Sequence, residues 1–255
     1  MLFRSTFDPT LVPTIVHEFA HSFVNPFVQR HRGEFVAAGE RIYPRVAEMM
    51  QAQAYSNWET MIIESLVRAV VVRYLRTNGE LSRATSQLME EFGLGFVWIE
   101  DLDRLLQGYE QQRSTFARFD DFAPQIARFV GDVSESIQDR LKELDNRRPR
   151  IVSVTPRDGE TGVDPSTTRI VAVFDRPMGK RYSISYGPGG KTSYPEVTRV
   201  GFEPDRITFI MEVRLQPSTQ YELLFTGRGF RGDDGIPLGQ RLIRFQTGPG
   251  SGVSR

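Results

Sequence analysis

The pattern of apolar positions changes character near Asp145 to Arg150, DNRRPR. Before that point apolar residues recur at helical spacing, most clearly at Phe122, Ile126, Phe129, Val130, Val133 and Ile137. After it come short β-branched and aromatic runs broken by Gly, Pro and Asp clusters, the spacing of an all-β sandwich. The fold class expected is therefore α+β overall: a mainly α-helical domain over residues 1–146, an all-β sandwich over 150–248 and a flexible tail over 249–255.

Within the first half, Thr10 is placed as the cap of an opening helix with Pro13 at its third position, where a missing N–H costs little. Asn25-Pro26 is expected to end that helix, because a residue before proline disfavours the helical region. A second helix is expected over 39–53. A third should run from SNWE, with Ser56 capping and Glu59 closing a capping box, to the Asn78-Gly79 stop. Others are expected near 82–92, 96–112 and 121–144. The second half predicts strands at 151–154, 169–174, 181–186, 196–202, 206–213, 221–226 and 242–247.

Composition narrows the partners. The 255 residues hold 32 Lys plus Arg against 32 Asp plus Glu, so no net field draws a polyanion and nucleic acid is not expected. Cysteine is absent, which excludes disulfides and thiolate zinc sites and leaves His, Asp and Glu as strong metal ligands. MIIESLVRAVVVRYL, Met61 to Leu75, is interrupted by Glu64, Arg68 and Arg73 and is too short to span a bilayer, so a buried helix and no transmembrane segment are expected. MLFRSTFDPT lacks the apolar core of a signal peptide. The chain is thus either cytoplasmic or part of a product whose export signal lies elsewhere.

Two of the three histidines fall in TIVHEFAHSF. Residues four apart share a helical face, so His17 and His21 can aim ring nitrogens at one cation, with Glu18 beside the first. Zinc held there would acidify a water, from which Glu18 can take a proton and later pass it to a leaving amine. Val16, Phe19, Ala20 and Phe23 form an apolar stripe expected to bury one side of this helix. A catalytic zinc needs a third protein ligand. His31 lies beyond Pro26 in an expected loop, whereas Glu64 lies mid-helix among Ile62, Ile63, Leu66 and Val67. A carboxylate so placed must be paired or bind metal. Arg68, four residues on, is its metal-free partner, and could also anchor one oxygen while the other meets zinc. The competing metal-free reading pairs Glu64 with Arg68 and leaves the histidines in ordinary hydrogen bonds.

HEFAH followed by a glutamate on a second helix resembles the gluzincin class of zinc metallopeptidases. More narrowly, VHEFAHSFVNP, IIESLVRA and GYEQQRSTFARFDDFAPQIARF resemble an uncharacterised bacterial gluzincin-like domain family, over about Thr14 to Phe129. The resemblance implies a zincin-like domain, His17, His21 and Glu64 as zinc ligands, Glu18 as base and acid, and a peptide or protein substrate. Gluzincins commonly steady the oxyanion with a tyrosine or histidine. Tyr109 is chosen for that role, with Tyr55 behind it. One departure stands out: zincins place a β-sheet before the zinc helix, whereas only some sixteen residues without strand pattern precede His17.

RIVSVTPRDGETGVDPSTTRIVAVFDRPM, LQPSTQYELLFTG and LIRFQTG resemble bacterial Ig-like modules of surface and secreted proteins. This implies a spacer or adhesive sandwich in contact with cell-surface or envelope components, in a secreted or envelope protein. Asp158, Asp164, Asp175, Asp233 and Asp234 are read as turn residues, and RGDDG lacks EF-hand spacing. The sequence therefore points to a zinc-dependent hydrolase, with a non-catalytic surface binding protein as the alternative.

Overall fold

The computed structural model describes residues 8–250, and they form two compact units that divide between Leu144 and Asp145. The N-terminal region is helical: α1 Val12–Arg30, α2 Arg32–Gln51, α3 Trp58–Thr77, α4 Leu81–Gly93, α5 Ile99–Gln111 and α6 Ala123–Arg147. The C-terminal region is a sandwich of two four-stranded sheets. The tail expected from residue 249 lies, from 251 onward, outside the described residues.

The first helix departs from expectation at both ends. Thr10 does not cap it: the residue before α1 is Leu11, which makes no side-chain cap, and the Asp8 Oδ1 instead accepts from the Thr10 backbone N–H at 2.9 Å at the start of the preceding turn. A short 3-10 turn over Pro9–Leu11 then leads into α1. At the other end the helix continues through Pro26 to Arg30. A proline inside a helix costs about 3 kcal/mol. The residues around it more than offset that, since Val24, Phe27 and Val28 are buried at about 1.5–3 kcal/mol each while Pro26 itself faces solvent. Pro26→Ala would restore the missing N–H to the Ser22 carbonyl. It is expected to stabilise the chain by about 2 kcal/mol, the interior cost less the entropy proline removes from the unfolded state, as read by urea denaturation.

The apolar stripe on α1 is also corrected. Ala20 is buried, but Phe19 and Phe23 are 67% and 64% exposed. The face that meets the core is Ala20, Val24, Phe27 and Val28, rotated from the expected one. Phe19 and Phe23 instead pack edge to face at 5.3 Å and line a cavity of about 640 Å³ with Val70, Tyr74, Tyr109 and Phe119.

The central helix α3 is the most buried element of the region, and its start is shifted by one residue. Asn57, not Ser56, caps it by accepting from the Thr60 N–H at 2.9 Å, and Glu59 pairs instead with Arg32 at 2.9 Å. Asn is as good a cap as Ser, and it stands one residue closer to the helix. α2 can lie against α3 because residue 39 is glycine, where a Cβ would come within 2.6 Å of the Trp58 ring. Arg73 ties α3 to α5 through Glu110 and Asp103. The membrane expectation is met in one respect: among the described residues no helix is long and apolar enough to cross a membrane.

In the second unit one sheet runs β1 Ile151–Thr155, β3 Arg169–Phe174, β6 Thr208–Arg214 and β5 Glu196–Phe202, all antiparallel. The other runs β2 Glu160–Val163, β8 Arg241–Thr247, β7 Gln220–Phe225 and β4 Ile184–Tyr186, with β2 parallel to β8. Alternation puts Ile170, Ala172 and Phe174 of β3 beside Phe209, Met211 and Val213 of β6 in one core, closed by Phe225, Phe230 and Phe245. β2 has no counterpart among the expected strands: it is four residues long, pairs irregularly, and contains Gly162 at φ +72°, so it has no alternation to read. Two of the loop aspartates bond as turn residues do, Asp164 accepting from the Ser166 N–H and Asp234 from the Ile236 N–H. The other three join segments distant in sequence: Asp175 accepts from the Arg150 N–H, Asp158 from the Arg244 N–H, and Asp233 pairs with Arg206.

Candidate metal centre

α1 and α3 pack side by side, and their contact brings His17 and His21 to Glu64. His21 Nε2 lies 3.2 Å from His17 Nε2 and 3.4 Å from Glu64 Oε1, and His17 Nε2 lies 3.8 Å from Glu64 Oε2. Two ligand atoms on one tetrahedral zinc stand about 3.3 Å apart, from bond lengths near 2.0–2.1 Å. Among the described residues, the group of three side chains able to hold a metal ion is His17, His21 and Glu64.

The donor chemistry fits a cation. His21 Nδ1 bonds Asn25 Oδ1 at 3.0 Å, so that nitrogen carries the proton and Nε2 presents a lone pair. This lone pair faces the Glu64 carboxylate, acceptor against acceptor, an arrangement that a proton or a metal resolves. Burial first, with Arg68 and His21 adding to it, holds the His17 pKa below its ordinary value against the pull of Glu64, which favours the neutral imidazole a metal needs. Both imidazoles are half-buried and Glu64 is buried, so the ligand set is anchored in the core and open on one side.

Glu64 does not stand alone behind the histidines. The Tyr55 hydroxyl donates to its Oε2 at 2.9 Å and accepts from Arg68 Nη2 at 2.7 Å. Arg68 Nε lies 3.5 Å from the same oxygen, and its other arm pairs with Glu91 of α4, whose Oε1 accepts from Gln87 at 2.5 Å. Burial raises the Tyr55 pKa, keeping it a donor. Asn25, Glu91 and Gln87 are additions that sequence reasoning misses. Asn25 follows His21 by four residues, as His21 follows His17, and that spacing is the signal that could reveal it.

Glu18 is exposed on the turn next to His17. Tyr109 is placed elsewhere: its ring packs on Phe119 and Phe122 at 5.2 Å and under the Arg113 guanidinium, on the wall of the α1 cavity. The structure gathers His17, His21, Glu64, Arg68 and Tyr55, and gives Tyr109 a packing role. His31, the lesser candidate for third ligand, sits between α1 and α2 and bonds Glu34 at 2.7 Å and Asp120 at 3.0 Å. Burial opposes its protonation, but those two carboxylates outweigh it and its pKa is raised. Its contribution to stability is then full below the unfolded-state pKa and is lost as pH rises through the folded one. His31→Gln should therefore lower Tm relative to wild type most at about pH 5.5 and least at about pH 8.

Residues 5–129 match the model of a family described as a domain of unknown function (DUF4932), and residues 145–245 match that of a bacterial Ig-like domain. No curated protein matches. Similar solved structures include surface layer protein SbsC, domains 1-6, at 15% identity and a TM-score of 0.29, covering 93% of this chain and 33% of that one. The N-terminal part of the bacterial S-layer protein SbsC is similar at 12% identity and a TM-score of 0.29, covering 97% of this chain and 60% of that one. The chain thus spans about a third of the first of these, and likeness at this level carries no weight for the site.

Proposed function

We propose that this chain, which carries a DUF4932 domain followed by a bacterial Ig-like domain, is a zinc-dependent hydrolase of gluzincin type, acting on peptides or proteins at the bacterial cell surface or outside the cell. The observation that carries the reading is the convergence of His17, His21 and Glu64 at the spacing of a tetrahedral zinc's ligands. A bound zinc would supply Lewis acidity, lowering the pKa of a water and polarising a carbonyl. His17 and His21 contribute neutral nitrogens, Asn25 fixes the His21 tautomer, and Glu64 contributes the charge. Glu18, exposed beside His17, is the group able to take the proton from the attacking water and hand it to the leaving amine. Arg68 and Tyr55 hold Glu64. Tyr109 takes no step in this chemistry. The Ig-like unit serves as a spacer or an attachment to envelope components, which the match to a bacterial Ig-like domain supports. Loading the chelator-treated chain with zinc and following the cleavage of a mixed peptide pool by mass spectrometry tests the activity. New termini that appear with zinc and vanish with chelator are expected.

A second reading has an observation in its favour. The strands named above all belong to the second unit, so the described residues of the first offer no sheet edge to grip an extended peptide. A non-catalytic surface binding protein that holds the metal for structure alone would look the same. It predicts bound zinc and no zinc-dependent cleavage.

A further inference from the structure

We propose that Tyr55, Arg68 and Glu91 clamp one oxygen of Glu64, Oε2, and so present the other, Oε1, to the metal, with Tyr55 as the positioning residue. The inference rests on the metal-site reading above and concerns how the third ligand is held.

A carboxylate on a mid-helix glutamate can turn about its last bond and can bind a metal through one oxygen or both. Here the two oxygens have different hydrogen-bond partners. Oε1 faces His21 Nε2 at 3.4 Å and makes no hydrogen bond among the described residues, while Oε2, which faces His17 Nε2 at the longer distance of 3.8 Å, receives the Tyr55 hydroxyl at 2.9 Å. Although Arg68 Nε is only 3.5 Å from Oε2, it makes no hydrogen bond, so the hydroxyl is the group that fixes the oxygen. Tyr55 can do so because it is fixed itself. Its N–H donates to the Met50 carbonyl, its own carbonyl accepts from the Tyr43 hydroxyl, and its ring lies against Phe96. Arg68 then sets the direction of the hydroxyl proton: its Nη2 donates at 2.7 Å, occupying the phenol's lone pair and leaving the O–H to point at Glu64.

Glu91 completes the device through charge. A guanidinium beside a metal site would repel the cation, and the single charge of Glu64 would go to neutralising it. Burial raises the Glu91 pKa, while the Arg68 guanidinium and the Gln87 amide against it favour its charged form. Paired so with Arg68, Glu91 on α4 takes up the guanidinium's charge and leaves that of Glu64 for the metal. The orientation of the ligand thus comes from Tyr55, and its effective charge from Glu91.

The test is zinc affinity by competition with a chromogenic chelator, with the visible spectrum of the cobalt-substituted protein, on the full chain. Tyr55→Phe removes one oxygen and is expected to weaken zinc binding by about 10- to 100-fold and to alter the cobalt spectrum, with helix content unchanged by circular dichroism. Glu91→Gln keeps the shape and is expected to weaken binding as well. If Tyr55→Phe does not fold, the zinc affinity of Glu91→Gln decides the matter. Folded variants that bind zinc as tightly as wild type, with the same cobalt spectrum, overturn the clamp and leave the metal site standing. A wild type that binds no zinc overturns both.

Discussion

Replacing Glu64 with alanine is expected to weaken zinc binding by roughly a hundredfold or more. A structural zinc site contributes about 10–16 kcal/mol shared among four ligands, so one ligand accounts for about 3 kcal/mol. Glu64 also supplies the one formal negative charge among the three ligands, and two neutral imidazoles alone hold a dication less well. The apo chain should survive the change. Arg68 keeps its pairing with Glu91 and its bond to Tyr55, and α3 is anchored by Met61, Ile62, Leu66 and Val67 rather than by the carboxylate. Glu64→Gln, of the same shape without the charge, should show the same loss with less disturbance. Zinc titration of both variants, alongside circular dichroism, checks the prediction. If the metal-free pairing were the whole role of Glu64, the variants would alter stability and leave metal content unchanged.

Glu18→Gln is expected to lower zinc-dependent peptide cleavage by about 10²- to 10⁴-fold, the range of a general base's contribution, while the chain keeps its metal. The separation of the two effects follows from placement. Glu18 faces solvent on the turn beside His17, and the ligand group comprises His17, His21 and Glu64 without it. Removal of its charge therefore touches proton transfer and not the ligand set. A variant with full zinc and wild-type cleavage would assign the proton transfer to another group. A chain that binds zinc and cleaves nothing, with or without Glu18, would favour the binding protein.

What is legible in the sequence is what local spacing encodes. The i, i+4 histidines, the carboxylate stranded among apolar residues of the third helix and most of the strands follow from rules that act within a few residues. The departures come where tertiary packing overrides them. Asn25-Pro26 reads as a stop, but the burial of Phe27 and Val28 carries the helix through it. Phe19 and Phe23 read as core, but packing turns α1 so that Ala20 and Val24 face inward. The clamp is hidden for a related reason. Glu91 lies 23 residues from Arg68 in sequence, and only the packing of α4 on α3 brings them together. Tyr55 reads in sequence as a reserve donor to an oxyanion, whereas its position in the turn before α3 directs its hydroxyl to Glu64.

The most direct test of the metal centre is zinc per chain by elemental analysis of the wild type after dialysis against a weak chelator. The three converging ligands predict about one equivalent retained, in line with a single site. A folded wild-type chain that retains none would contradict the metal centre, leaving Glu64 as a partner of Tyr55 and Arg68 and the histidines as members of a hydrogen-bonded pair.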